Sequence, residues 1–244
     1  MKRIIFGTLY NANKEYEWTK MWAGQLREFL PDETIIAIDH NHTKEEIKIC
    51  EESGITVLPR KTNHSFSRAH GAAFDSAAEW CRENNIDVMV HIEPDVAIYG
   101  REWFDNLMNG IEEGFWVSGI FRRAYADVLH GCVSAWSLKH CEHSFKDCRK
   151  GKDVHQKFYQ STVNEIQMAN TYKKLTYMRW NLYNWDVGDK NWFEAAKLGK
   201  YTKVLGPDCS HKHIGSFRGP FEVPVEQVDH RFENLREKYT IKFM

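Results

Sequence analysis

Short apolar runs and longer amphipathic segments alternate along the first part of the chain. The apolar runs predict strands at 3–8, 34–39, 55–58 and 87–92, and the amphipathic segments predict helices at 14–30, 44–53 and 65–84. This alternation of strand and helix predicts an α/β fold with a mostly parallel sheet and right-handed crossovers. Ligands of such sheets bind beyond the carboxyl ends of the strands, so functional side chains are expected there.

The later part of the chain has a weaker pattern. It predicts a fifth strand at 115–121, a small-residue segment (GCVSAWSL) from Gly131, and a packing helix at about 154–172. A strand-like segment at 201–206 and an extended segment containing His211 and His213 follow. The chain therefore continues the α/β pattern without a clear linker.

Length and charge exclude several classes of protein. The 244 residues are enough for one large domain, and a formal net charge of -1 gives no electrostatic footprint for nucleic acid. No apolar run has the length of a transmembrane helix, and the start MKRIIFGTLY indicates a first strand and not a signal peptide. The six cysteines show no CxxC pair, which favours reduced thiols in a cytoplasmic protein.

The segment DVMVHIEPDVAIYG carries the most specific chemistry. An apolar strand ends at Glu93 and Asp95, two residues apart, and residues at this spacing on a strand share one face. Pro94 between them lacks a backbone N–H, so regular pairing is expected to end there. Two carboxylates at a sheet edge suit Mg²⁺ or Mn²⁺ holding a diphosphate. An acidic strand end on a solvated loop is the alternative.

Three motifs in order resemble those of a known family. They are IDHNHTKEE with Asp39 after the second strand, NHSFSRAHGAAFDSAAEW with Arg68, His70 and Asp75, and IEPDVAIYGREWFDNL with Glu93 and Asp95. Together they resemble the glycosyltransferases of the GT-A fold, family 2-like, that use nucleotide-sugar donors. In that family the metal motif is DxD, so Glu93 replaces its first aspartate.

The resemblance implies a fold and a division of the chain. The fold is α/β of GT-A type, with a mostly parallel, Rossmann-like central sheet flanked by helices and a smaller acceptor-side region. The expected single domain comprises a nucleotide-sugar half at 1–119, an acceptor and catalytic half at 120–220, and a tail at 221–244. Donor binding is then assigned to Thr8, Asp39, Arg68, Glu93, Asp95 and Arg218.

The resemblance also implies a metal site. Its ligands would be Glu93 and Asp95, with His211 or His213 added, because many GT-A enzymes supply a histidine from this C-terminal region. The expected cofactor is Mn²⁺ or Mg²⁺, and an imidazole ligand favours Mn²⁺. A histidine pair on an extended surface loop remains the alternative.

Acceptor chemistry is assigned to the second half in the same way. An aspartate before a helix and a glycine is the base in inverting members, so Asp186 is the first candidate and Asp189 the second. Asp189 is equally suited to capping the helix. The sugar pocket is assigned to Gly131, Ser134, Trp136 and Trp185.

The function implied is a metal-dependent hexosyltransferase reaction. A sugar passes from a nucleotide diphosphate donor, expected to be a UDP-sugar, to a hydroxyl group of a glycan or another acceptor. A non-catalytic nucleotide- or carbohydrate-binding module on the same fold is the alternative. A glycoside hydrolase is disfavoured because Glu93 and Asp95 share one strand edge. A nucleotidyltransferase is disfavoured because FGTLYNANK has one glycine.

Overall fold

The computed structural model covers the central sheet and the helices that flank it. The residues it describes are 1–10, 16–40, 44–59, 66–94, 96–121, 129–145, 187–188, 191–192, 194–195, 198–203, 211–213, 234 and 237–238.

Nine strands and four α-helices have both of their bounds among the described residues. The strands are β1 (Arg3–Tyr10), β2 (Ile35–His40), β3 (Thr56–Leu58), β4 (Val88–Ile92), β5 (Val96–Ile98), β6 (Val117–Phe121), β7 (Leu129–Ser137), β8 (Tyr201–Lys203) and β9 (His211–His213). The helices are α1 (Tyr16–Phe29), α2 (Lys44–Glu52), α3 (Phe66–Glu83) and α4 (Glu102–Glu112), and a 3₁₀ turn covers Leu138–His140.

Seven strands form the central sheet in the order β3-β2-β1-β4-β7-β6-β8. Strands β1 to β4 pair in parallel, and β8 is parallel to β6, whereas β7 is antiparallel to both β4 and β6. The predicted α/β class and the mostly parallel sheet are therefore confirmed. Since β7 alone runs the other way, the carboxyl ends of the six remaining strands share one edge.

Alternating side chains divide the sheet into two covered faces. Ile4, Phe6 and Met89 belong to a core beneath α3, whereas Ile5 and Val90 belong to a second core that packs α1 and α4. All five side chains are fully buried. A strand buried on both faces reads as a continuous apolar run, which is why β1 and β4 are recognisable in the sequence.

Strands β5 and β7 and helix α4 of the described fold were not predicted, and the β7 segment was named only for its small residues. Helix α4 follows β5, and β5 leaves the main sheet to form a separate two-stranded sheet with β9. Strand β5 is three residues long, so its sequence signal merges with that of β4. Its partner lies far along the chain, where no local pattern reports the pairing.

Candidate functional site

The acidic segment after β4 begins with a turn. The backbone N–H of Val96 donates to the Glu93 carbonyl oxygen at 3.1 Å, and Pro94 follows Glu93 inside this turn. Proline is favoured at the second position of such turns because its φ is already fixed there. The prediction that sheet pairing ends at Pro94 agrees with β4 ending at Ile92.

The turn corrects one step of the sequence prediction. Glu93 lies past the last residue of β4, so strand alternation does not set where its side chain points. The turn sets it instead. Asp95 itself lies outside the described residues.

Glu93 lies beside a histidine pair formed by His70 of helix α3 and His91 of strand β4. Its Oε1 lies 3.8 Å from Nδ1 of His70, and Nε2 of His70 lies 3.4 Å from Nε2 of His91. His91 is fully buried in β4, with its ring centroid 4.3 Å from that of Phe74. The candidate ligand is therefore connected to the core through two imidazoles.

Thr8 lies on the same face, near the carboxyl end of the adjacent strand β1. Its side chain is fully buried, and its Oγ1 has no hydrogen-bond partner among the residues that the structure describes. A buried hydroxyl normally has a partner, because leaving it unpaired is costly. Thr8 is thus a buried hydroxyl at this edge of the sheet whose hydrogen-bonding capacity the described residues do not use.

The C-terminal histidine segment lies beside the turn. Strand β9 pairs antiparallel with β5, with His213 opposite Val96 and His211 opposite Ile98. The backbone of this segment is therefore adjacent to the residue that closes the turn after Glu93. The side chains of His211 and His213 are not among those described.

Three of the four residues predicted for the sugar pocket, Gly131, Ser134 and Trp136, lie on the small-residue strand β7. Ser134 is opposite His91 in the β4–β7 pairing, and Gly131 lies two residues beyond Val133, the partner of Ile92. Both residues therefore lie at the level of the end of β4. The buried Ser134 hydroxyl accepts a hydrogen bond from Nε1 of Trp136 at 2.8 Å.

The structure corrects the role predicted for Trp136. Its side chain is fully buried, and Phe145 packs against it edge-on with ring centroids 5.1 Å apart. Gly188, with φ of 76°, lies so close that a Cβ there would be 2.7 Å from the indole. Trp136 is a core residue in this structure and offers no free face to a sugar.

The same packing locates the segment that carries the candidate base. Val187 is buried in the core beneath α3, together with Trp136 and Phe145. Asp186 precedes Val187 in sequence but lies outside the described residues, as do Asp189, Trp185 and Arg218. For Asp39, at the end of β2, and Arg68, in α3, the structure describes the backbone and not the side chain.

Asp75, part of the α3 motif, has a structural role. Its carboxylate accepts hydrogen bonds from the Ser144 hydroxyl at 2.6 Å and from the backbone N–H of Phe145 at 2.7 Å. It thereby fixes the chain that follows β7.

Sequence reasoning missed His91 as a functional candidate, although its position two residues before Glu93 in an apolar strand was a usable signal.

The donor atoms at this edge suit a divalent metal in part. Glu93 is a half-buried carboxylate, and the β9 pairing brings the His211–His213 backbone alongside. Within the described ranges, no group of three or more His, Cys, Asp and Glu side chains has an arrangement that would hold a metal ion. A complete ligand set therefore requires residues such as Asp95.

None of the helices in the described part of the chain is long and apolar enough to cross a membrane.

No family model and no curated protein matches the sequence.

Solved structures resemble the fold at low sequence identity. Glucosyl-3-phosphoglycerate synthase from Mycobacterium tuberculosis, in complex with Mn²⁺, UDP and glucosyl-3-phosphoglycerate, is 16% identical with a TM-score of 0.43, covering 57% of this chain and 58% of that one. A cytidylyltransferase from Leptospira borgpetersenii is 12% identical with a TM-score of 0.41, covering 57% of this chain and 60% of that one. The matched parts span less than two thirds of those chains.

The class of the protein follows from its own sheet. A parallel four-stranded half, one antiparallel strand beside β4 and helices on both faces define a mostly parallel, Rossmann-like α/β fold, as the sequence predicted.

Proposed function

We propose that the protein transfers a sugar from a nucleotide diphosphate donor, a UDP-sugar, to a hydroxyl group of a glycan or other acceptor, in a metal-dependent reaction. The observation that carries this proposal is the pairing of β9 with β5, which brings the His211–His213 backbone beside the turn that starts at Glu93. Carboxylates and imidazoles from distant parts of the chain converge in this way at metal sites.

Glu93 and Asp95 are the proposed carboxylate ligands, with one imidazole from His211 or His213. A bound Mn²⁺, or Mg²⁺, would neutralise charge that develops on the departing diphosphate. The half-buried position of Glu93 excludes part of the solvent, which strengthens its attraction for a cation. Glycosyl transfer by the solved synthase, whose complex contains Mn²⁺ and UDP, is consistent with this donor set.

Donor binding is proposed for residues at the same edge of the sheet. The Thr8 hydroxyl, which has no hydrogen-bond partner among the described residues, and the Asp39 carboxylate belong to adjacent parallel strands, in which Leu9 is opposite Asp39. Arg68, near the start of α3, and Arg218 are proposed to bind the diphosphate, because guanidinium groups pair with phosphate oxygens in a bidentate way.

Acceptor activation is proposed for Asp186, with Asp189 as the second candidate. A general base must reach the hydroxyl proton within hydrogen-bond distance. The buried Val187 anchors this segment in the core beneath α3, the face that also holds His70 and His91. Gly131, Ser134 and Trp185 are proposed to border the sugar.

Ligand-dependent thermal stability tests the donor class directly. The protein is heated with a panel of nucleotides and nucleotide sugars, each with and without Mn²⁺. A ligand at about 100 times its Kd stabilises the fold by roughly 2.7 kcal/mol, which is readily measured. A shift that requires both Mn²⁺ and a uridine diphosphate supports the proposal, and no shift with any donor contradicts it.

A second measurement separates an enzyme from a binding module. Release of UDP from the stabilising UDP-sugar is followed with a panel of hydroxyl acceptors. Turnover supports the transferase. Binding of a donor without turnover with any acceptor identifies the chain as a non-catalytic module on the same fold.

A further inference from the structure

A side chain of helix α1 is hydrogen-bonded to the residue immediately before the acidic turn. Nε1 of Trp22 donates to the carbonyl oxygen of Ile92, the last residue of β4, at 3.2 Å. The indole is fully buried. It occupies space that Gly7 leaves open in β1, since a Cβ there would be 2.4 Å from the Trp22 ring.

Another side chain of the same helix is hydrogen-bonded to β5, which starts at Val96, the residue that closes the turn. Nε2 of Gln25 donates to the Val96 carbonyl oxygen at 2.7 Å, and Oε1 of Gln25 accepts from the Ile98 N–H at 2.8 Å. Gln25 is fully buried. Its amide uses one donor and one acceptor of β5, as a neighbouring strand would, so β5 is held between Gln25 and β9.

We propose that Trp22 and Gln25 are positioning residues for the acidic turn, and that helix α1 thereby sets the metal affinity of the site. Three residues apart, they lie on one face of α1 and fix backbone groups on both sides of the Glu93–Val96 turn. The functional part of this inference rests on the proposed metal-dependent transfer.

Packing alone would not require these contacts. An apolar side chain of similar size at position 25 would fill the same space, but it would leave the Val96 carbonyl and the Ile98 N–H without this partner inside the protein. Gln25 bonds to β5 and, through it, to the strand that carries His211 and His213. One side chain thus supports both proposed sources of ligands.

The test uses Gln25→Met, which keeps the length of the side chain and removes both hydrogen bonds. Trp22→Phe removes the indole N–H and keeps an aromatic ring. Gln25→Glu keeps an acceptor for Ile98 and removes the donor to Val96. Leu26→Ala, also fully buried in α1, is the matched control because it weakens the core without contacting the turn through a hydrogen bond.

Two readouts keep the inference separate from the proposed function. The first is hydrogen exchange, which needs no ligand. In Gln25→Met the Ile98 amide should exchange faster. The amides of β1 and β2 should stay at least as protected as they are in Leu26→Ala. Unchanged exchange at Ile98 would overturn the positioning role, whatever the protein binds.

The second readout is Mn²⁺ affinity in the presence of UDP, measured by titration of folded protein. Partners that orient a ligand typically contribute 10- to 100-fold in metal affinity, and we expect a loss of about that size in Gln25→Met and Trp22→Phe. The loss in Gln25→Glu should be at least as large, because its buried carboxylate would face the Val96 carbonyl oxygen. An equal loss in Leu26→Ala would overturn the inference. Absence of Mn²⁺ binding in the wild type would contradict the proposed function and remove α1's role in metal affinity, whereas the exchange result would still decide whether α1 positions the turn.

Discussion

Nε2 of His70 and Nε2 of His91 lie 3.4 Å apart. In a hydrogen bond between them, one nitrogen is the donor and the other is the acceptor. His91 is held in the core by Phe6 and Phe74, whose ring centroids are 4.8 and 4.3 Å from its own. The ring of His70, from helix α3, has one nitrogen facing this fixed ring and the other 3.8 Å from Oε1 of Glu93. The orientation of His70, and with it the surroundings of Glu93, therefore depends on a buried ring.

His91→Phe tests this relationship. A phenyl ring preserves the contacts with Phe6 and Phe74 and removes the nitrogen that faces His70. We expect about tenfold weaker Mn²⁺ binding with UDP present, in line with the usual contribution of groups behind a metal ligand. Isothermal titration measures it. If a lower free energy of unfolding, measured in urea, accounted for the whole loss of Mn²⁺ affinity, the result would argue against an orienting role.

Replacement of Asp95 by alanine should abolish metal-dependent turnover, because a proposed hard oxygen ligand is lost. Glu93→Asp is the matched variant. It keeps a carboxylate at the start of the turn and changes its reach by one methylene, so partial activity at raised Mn²⁺ is expected. The measurement is UDP release against Mn²⁺ concentration, and full activity in Asp95→Ala would disprove the metal assignment.

Asp186→Asn should lower kcat by a factor of about 100 to 10,000, the usual contribution of a general base. Donor binding should be unaffected, because the amide keeps the shape of the side chain. Asp189→Asn serves as the comparison. A larger fall in Asp189→Asn would transfer the role of base to Asp189, and loss of donor binding in Asp186→Asn would indicate a structural role.

Gly7→Ala should destabilise the fold. The added Cβ would be 2.4 Å from the Trp22 ring, and overpacking of this kind costs about 1–3 kcal/mol. Urea unfolding measures the change. In the Gly7→Ala, Trp22→Leu double variant the smaller side chain relieves the overlap, so the combined loss should be less than the sum of the single losses. Simple additivity would show that Trp22 is not the cause.

The buried thiols provide a pH-dependent prediction. Burial raises the pKa of Cys50, Cys81 and Cys141 to about 12 in each case. In a variant with serine at the other three cysteine positions, the native protein should not react with a chromogenic disulfide reagent at about pH 8, where the thiolate is required. Since an unfolded chain loses these protons at lower pH, stability should fall as pH rises from 9.0 towards about 12. Rapid labelling of the folded variant would contradict this.

The sequence predicted most of the first half of the sheet. Strands β1 and β4 are buried on both faces and therefore read as apolar runs, and α1 and α3 carry a clear helical period. Pro94 correctly indicated where β4 ends. The direction of β7 was not predictable, because apolar strands look alike in either direction, and its place beside β4 is a long-range choice of the fold.

The candidate site was predictable in its composition and less so in its geometry. Glu93 was found by its residue type and its position after an apolar run, but the turn that orients it was not. The hydrogen bonds from Trp22 and Gln25 join positions about seventy residues apart in sequence. Nothing in the local sequence reports contacts of that kind. Trp136 shows the converse, since an aromatic residue has the same local signal in a core as in a sugar pocket.

The pairing of β5 with β9 also has a consequence for the order in which the protein matures. Strands β1 to β4 all lie within the first 92 residues of the chain, so they are able to pair before the C-terminal part is available. Strand β9 follows far behind and must close a long loop to reach β5. During synthesis on the ribosome, the nascent chain would therefore contain the paired strands β1 to β4 before it contained the β5–β9 pair, and the proposed metal site would be completed last.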